Sequence, residues 1–397
     1  LFLILFILYP LSILLVDSMY VDERFSLSVF FRVLQMHSFR TAITNTLFLG
    51  MITGITATLI GFLFAYVDAY VNTGSKALKG LFNAVSILPV VSPPFVLSLS
   101  AILLFGRTGI VTRHWLNLNS TGLYGLPGIA LVQTLTFFPV CYLMLKGLLK
   151  NIDPSLEDAA RNIGASRWHV FKTVTLPLLL PGLGNAFLIT FIESVADFAN
   201  PMIIGGNYDT LATSIYLQLT GAYDKSGAAA MAVVLLTISM GLFLMEKYYL
   251  ERKSVATLTG KASRERLLMN DKSVRIPLIA FCIIVTLFVL IMYALVPFGS
   301  LFKLWGRDFS LSLKWYHYVF KNNGYRVFTD SILLSLIASP LTALLSMMIS
   351  YLVVKRNFKG KALMEFTAML AMAVPGTVLG VGFIRGFNSG LFHSGFL

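Results

Sequence analysis

Cysteine is almost missing: Cys141 and Cys282 are the two in 397 residues. Both fall inside apolar runs, so the sequence offers neither a disulfide framework nor a thiolate metal site. Charge is scarce as well. Asp, Glu, Lys and Arg make up 12% of the chain, against 57% hydrophobic residues. Soluble globular domains carry about twice that charged fraction, which excludes the class. The five histidines show no metal-ligand spacing. No phosphate-binding glycine loop is present, because Gly360-Lys361-Ala362 lacks both the Ser/Thr and the upstream glycine. Ser-His-Asp arrangements and dinucleotide fingerprints are missing too. The chain is therefore expected to catalyse no covalent step, to hydrolyse no ATP and to hold no metal or cofactor of its own. The short alternating segments of a β-barrel are also lacking.

What is present is a series of continuous apolar runs long enough to cross a bilayer. They predict an all-α, polytopic transmembrane helical bundle. The runs fall at about 1–16, 41–66, 81–105, 126–149, 177–196, 227–245, 276–298, 327–354 and 362–387. Pro89, Pro93 and Pro94 lie within the third, where they break or kink a helix and free backbone groups. Residues 197–225 read as a loop rich in Gly, Asn and Asp, and the highly charged stretch 246–275 as a linker. The net charge of +13 would suggest nucleic acid in a soluble protein. Here the basic residues flank apolar runs, so membrane orientation explains them better and no nucleic-acid partner is expected. With residues 155–177 in the cytoplasm, 19 of the 31 Lys and Arg lie on that side and 12 on the other. Loop 299–326, with five, runs against the trend. The chain opens on Leu1 inside an apolar run with no basic region ahead of it, so its N-terminus is expected to be missing.

One polar island, Ser155 to Pro181, interrupts the apolar pattern. Ser155 ahead of Glu157 and Asp158 predicts a capped helix start with acids in its first turn. Gly164 permits a backbone reversal, Ser166 can cap a second short helix running to Lys172, and Pro177 suits the first turn of the next span. Ala159 and Ala160 leave a shallow surface for close packing. The order Asp158-Ala159-Ala160, then Gly164, then Val174-x-Leu176-Pro177 closely resembles the EAA motif of permease subunits of ABC import systems. Asp158 replaces the usual Glu and keeps the charge.

That resemblance implies the type I importer permease fold. It implies two cytoplasmic ATPase subunits that bind the ATP, and a periplasmic or lipid-anchored binding protein that delivers substrate. It makes Glu157, Asp158, Ala159, Ala160, Gly164, Leu176 and Pro177 an ATPase-coupling loop, in a multi-pass protein of the bacterial inner membrane. The stretch from Phe191 to Pro201, followed by Gly205-Gly206-Asn207, is similar to fused iron(III)-type permeases. Ferric iron is thus the implied substrate. Phosphonate, thiamine, polyamine and sulfate permeases share the architecture, and an ion-coupled secondary transporter also uses repeats and broken helices.

A shift of 285 residues lays Thr41–Tyr66 over Arg326–Tyr351 and Lys76-Ala77-Leu78 over Lys361-Ala362-Leu363. One inserted residue then brings Pro89 onto Pro375. The expected organisation is a first permease half over 1–250, a linker over 251–275 and a truncated second half over 276–397. A second coupling loop is expected beyond the last residue. Ionisable groups near spans are functional candidates. Glu193 and Asp197, four apart, share a helix face at the outer end of the fifth run. They could line the substrate path, or make an interhelical or lipid-interface contact. Asp68 and Arg385, near span ends, are expected to snorkel to the interface.

Overall fold

The structure, a computed structural model, describes residues 1–21, 24–118, 122–250 and 268–388. The first helices are α1 (Tyr9–Met19), α2 (Ser28–Gln35), α3 (His37–Tyr70), α4 (Lys76–Val91), α5 (Phe95–Phe105) and α6 (Leu126–Asn151). Next come α7 (Pro154–Asn162), α8 (Arg167–Val170), α9 (Leu176–Ala196), α10 (Ala199–Ile204), α11 (Leu211–Thr220) and α12 (Lys225–Met245). The last are α13 (Lys272–Ser300), α14 (Lys314–Lys321), α15 (Gly324–Lys355), α16 (Lys361–Ala373) and α17 (Gly376–Asn388). Two small antiparallel hairpins accompany them, β1–β2 (Tyr20–Val21 and Arg24–Phe25) and β3–β4 (Phe302–Leu304 and Asp308–Leu311). Of the expected linker, 251–267 lie outside the described residues.

Among the described residues seven helices are long and apolar enough to cross a membrane, eight if the α16–α17 pair, bent by 110°, counts as one. Nine runs were expected, and the two not among the seven are 1–16 and 362–387, the bent pair. The first helix, Ile4–Met19, is short. The run 81–105 is broken at Ser92-Pro93-Pro94 into α4 and α5, and it still contributes one span, which starts at Phe95 and runs on to Trp115. Pro89, Pro139, Pro181 and Pro340 are accommodated inside helices.

The long helix α3 is the axis of the bundle and packs against both α6 and α9. Its contact face is built from small residues, which let apolar helices approach where lipid gives no hydrophobic drive to associate. A Cβ on Gly50 would lie 2.5 Å from the Phe191 ring, and one on Gly54 would lie 2.8 Å from the Phe187 ring. At Gly61 the neighbours are Cys141 Cβ at 2.5 Å and the Tyr142 backbone nitrogen at 2.8 Å.

The internal repeat extends further than the sequence match. A leading helix, a hairpin, a short helix, a long helix and a broken helix recur in order: α1, β1–β2, α2, α3, α4–α5, then α13, β3–β4, α14, α15, α16–α17. The second arm is shorter, 13 residues in α16 against 16 in α4, and its break falls at Val374-Pro375. Pro375 therefore matches the Pro93-Pro94 break and not Pro89. The two units embrace. α13 lies on α4 and α5, while α17 lies on α1 and α12.

Two other expectations are corrected. The stretch 197–225 holds α10 and α11, with Leu211, Ala212 and Ile215 buried. It folds because the Leu211 N–H donates to Thr46 Oγ1 at 2.8 Å and Thr210 and Thr213 cap each other. Neither Arg385 nor Asp68 reaches out to the interface. Arg385 pairs with Asp17 of α1. Asp68 is 6% exposed and meets Lys79, Lys146 and Lys150 at 3.5, 3.4 and 3.3 Å.

Candidate coupling surface

The polar island folds as two short helices set against the C-terminal end of α3. The cap of α7 is Asp153 and not Ser155. Its Oδ1 accepts from the Ser155 N–H at 2.9 Å, and Pro154 takes the first helical position, where a missing N–H costs nothing. The helix ends at Gly164, whose φ of +92° is a conformation that favours glycine. The Gly164 N–H donates to the Arg161 carbonyl at 2.9 Å and that of Ala165 to the Ala160 carbonyl at 3.1 Å, satisfying the last turn. Ser166 caps α8 through the His169 N–H at 3.3 Å. The second helix then passes into a π-helical turn, Phe171–Thr175, before α9 opens with Pro177 in its first turn.

The two neighbouring acids face different ways. Glu157 is buried, and its Oε1 accepts from the Tyr70 hydroxyl at 2.6 Å and from Thr175 Oγ1 at 2.8 Å. Asp158 is partly exposed and borders a cleft with Arg161 and Arg167. Phe171 holds the second helix down, edge-on to Tyr66 at 5.9 Å, and Tyr66 stacks on Tyr70 at 4.7 Å. The outer side of the island is apolar in patches. Leu156, Ile163 and Trp168 are 51%, 87% and 65% exposed. Ala159 and Gly164 are exposed as well, and a Cβ at Gly164 would meet nothing within 4 Å, while Trp168 borders a groove with Phe62 and Leu63 of α3 and Val274 and Leu278 of α13. Leu176 is half-buried and Pro177 exposed. The sequence did not single out Tyr70 and Thr175. Their signal was only a buried acid beside the motif acid.

At the other end of the bundle Glu193 and Asp197 part company. The helix α9 stops at Ala196, so Asp197 leaves the helical face and turns inward. Its Oδ2 accepts from Gln133 Nε2 and from Asn200 Nδ2, both at 2.8 Å. Gln133 is fully buried in α6, and its Oε1 accepts from Ser194 at 2.6 Å and Thr53 at 3.0 Å. Ser98 donates to Asn200 Oδ1 at 2.7 Å. One buried network thus joins α3, α5, α6, α9 and α10. Glu193 stays exposed on α9. Among the described residues no group of three or more His, Cys, Asp and Glu side chains could hold a metal ion.

Residues 57–255, half the chain, match the sequence pattern of the binding-protein-dependent transport system inner membrane component family. The chain belongs to that family. It is a multi-pass protein of the inner membrane. The ferric transport system permease protein FbpB of Actinobacillus pleuropneumoniae is 35% identical over 392 residues, covering 96% of this chain and 57% of that protein. FbpB 1 of Haemophilus influenzae, also named for a ferric transport system, is 35% identical over 394 residues, 97% of this chain and 62% of that one. The chain therefore spans about three fifths of the length of these relatives. Its fold is similar to that of a chain of the bacterial alginate ABC transporter solved with an alginate-bound periplasmic protein. The TM-score is 0.56 at 18% identity, over 64% of this chain and 91% of that chain. The matched region 57–255 contains the polar island and both carboxylates, Glu193 and Asp197.

Proposed function

We propose that this chain forms the translocation path of an ATP-driven importer for ferric iron. The motor is a pair of separate cytoplasmic ATPase subunits that dock on the polar island, and a binding protein delivers the substrate outside. The observation that carries this reading is the outer side of α7 and α8. Leu156 and Ile163 stand exposed with Ala159 on one side of α7, and Trp168 is exposed on α8, on the side of the membrane where the sequence places more of its basic residues. An exposed apolar patch on a polar elbow marks a protein interface, and an ion-coupled carrier has no use for one here. The glycine-loop chemistry that holds nucleotide phosphates is absent from the sequence, which supports placing ATP on the partner. The substrate is inferred from the names of the two FbpB relatives. Glu193 is better placed than Asp197 to meet a cation, because Asp197 is engaged by two amides.

The expected cycle is alternating access, two packings of the helices biased by the state of the motor. Cysteines introduced at Ile163 and Trp168 of the full-length protein are expected to crosslink to the ATPase. Gly164→Asp is expected to leave membrane levels normal and abolish uptake. Normal iron uptake by that variant, or crosslinks that never capture an ATPase, refutes the coupling role.

A further inference from the structure

Tyr70, the last residue of α3, is held from two sides. Its hydroxyl donates to Glu157 Oε1 at 2.6 Å, and Thr175 donates to the same oxygen at 2.8 Å. Glu157 is 9% exposed, so its carboxylate knots together the end of α3, the first turn of α7 and the turn that leads into α9. On its other side the Tyr70 carbonyl accepts from the Met269 N–H at 2.7 Å. The Asn72 N–H donates to the Met269 carbonyl at 3.1 Å, and Asn72 Nδ2 donates to Asn270 Oδ1 at 2.8 Å. Asp271 then caps α13 through the Ser273 N–H at 3.1 Å. A continuous hydrogen-bonded path therefore runs from the polar island to the leading helix of the second repeat.

We propose that Glu157 and Tyr70 are positioning residues that fasten the coupling loop to α3 and, through Met269, to α13. The proposal rests on the coupling reading above. A loop attached only at its two ends bends when pushed. A third attachment turns it into a rigid lever, so one displacement carries α9 and the leading span of the second repeat together. Glu157 and Tyr70 lie in the wall of the same cleft as Asp158, but the Glu157 carboxylate is taken up by the two hydroxyls, so neither residue has to touch the motor. Two hydroxyls converge on one oxygen, and an amide oxygen can accept both as well. Hydrogen-bonding capacity is then the property that matters, and Gln is the conservative replacement.

The test uses the full-length permease reconstituted in vesicles with its ATPase and binding protein, reading ATP hydrolysis and uptake of radiolabelled ferric iron together. Glu157→Ala and Tyr70→Phe are expected to keep the ATPase bound. ATP hydrolysed per iron imported should rise about tenfold, the factor carried by one lost hydrogen bond to a charged group. Glu157→Gln is expected to stay within about twofold of the unmodified protein. Thr175→Val supplies a second lesion of the same knot, should Tyr70→Phe accumulate poorly. An unchanged ratio in Glu157→Ala and in the hydroxyl variants overturns the proposal, as does equal damage from Gln and Ala. In either case Ile163 and Trp168 crosslinks that still capture the ATPase leave the coupling reading standing. Their failure removes that reading itself.

Discussion

Replacing Gln133 with Leu tests how much of the bundle rests on the buried polar network. The side chain is fully buried and makes three hydrogen bonds of 3.0 Å or less, to Thr53, Ser194 and Asp197. Leucine has nearly the same volume, so packing is kept and the polar term is isolated. Thr53 and Ser194 can turn their hydroxyls to carbonyls one helical turn back, as Thr46 and Ser86 already do, which limits their loss. Asp197 has no such escape and keeps only Asn200 among its side-chain donors described here. A lost hydrogen bond to a charged group costs about 1.5–3 kcal/mol, and the two hydroxyls add roughly 1 kcal/mol. A total of about 3 kcal/mol corresponds to a fall in Tm of roughly 5 °C or more. The assay is thermal unfolding of the detergent-purified protein. Adding Asp197→Asn removes the charge that was left short of a donor, so the double variant is expected to recover more than half of the loss. A Tm for Gln133→Leu within about 1 °C of the parent refutes the reasoning.

Gly61→Val is expected to lower Tm sharply, because its Cβ meets Cys141 Cβ at 2.5 Å and the Tyr142 backbone at 2.8 Å and forces α3 off α6. Gly80→Ala is the control in the same scan. A Cβ there meets nothing within 4 Å, so Tm should hold or rise by up to the ~1 kcal/mol of helix propensity. Asp68→Asn leaves the ammonium groups of Lys79, Lys146 and Lys150 converging without a counter-charge. Two of them are well exposed, which limits the cost to about 2 kcal/mol. Lys146→Gln in the Asp68→Asn background should return part of it, as read by Tm.

The elbow was legible because its chemistry is local. A positive φ demands glycine at 164, and proline suits the first turn at 177, so spacing alone carries the shape. Which of two adjacent acids faces inward was not legible. Glu157 and Asp158 differ by about 100° around α7, and only the arrival of Tyr70 from α3 decides between them. The repeat could be read where α3 and α15 share a periodic face, Gly50, Gly54, Gly61 and Ala65 recurring as Ser335, Ser339, Ser346 and Ser350. Its hairpins and short helices could not, having too little sequence to align. Residues 197–225 looked like a loop because α10 and α11 are stabilised by contacts from elsewhere, Thr46 among them, and not by their own propensity. Asp17 and Arg385 lie 368 positions apart, so nothing near either one announces the pair.

The reciprocal embrace of α13 on α4 and α5, and of α17 on α1 and α12, restricts how the two units can shift. Each is braced by a helix rooted in the other. Sliding them apart would strip an apolar helix from its seat at both braces at once. Rocking about the line that joins the braces strips neither. The motion that keeps both seats filled is therefore a seesaw about that line, with its swing widest in the parts farthest from it.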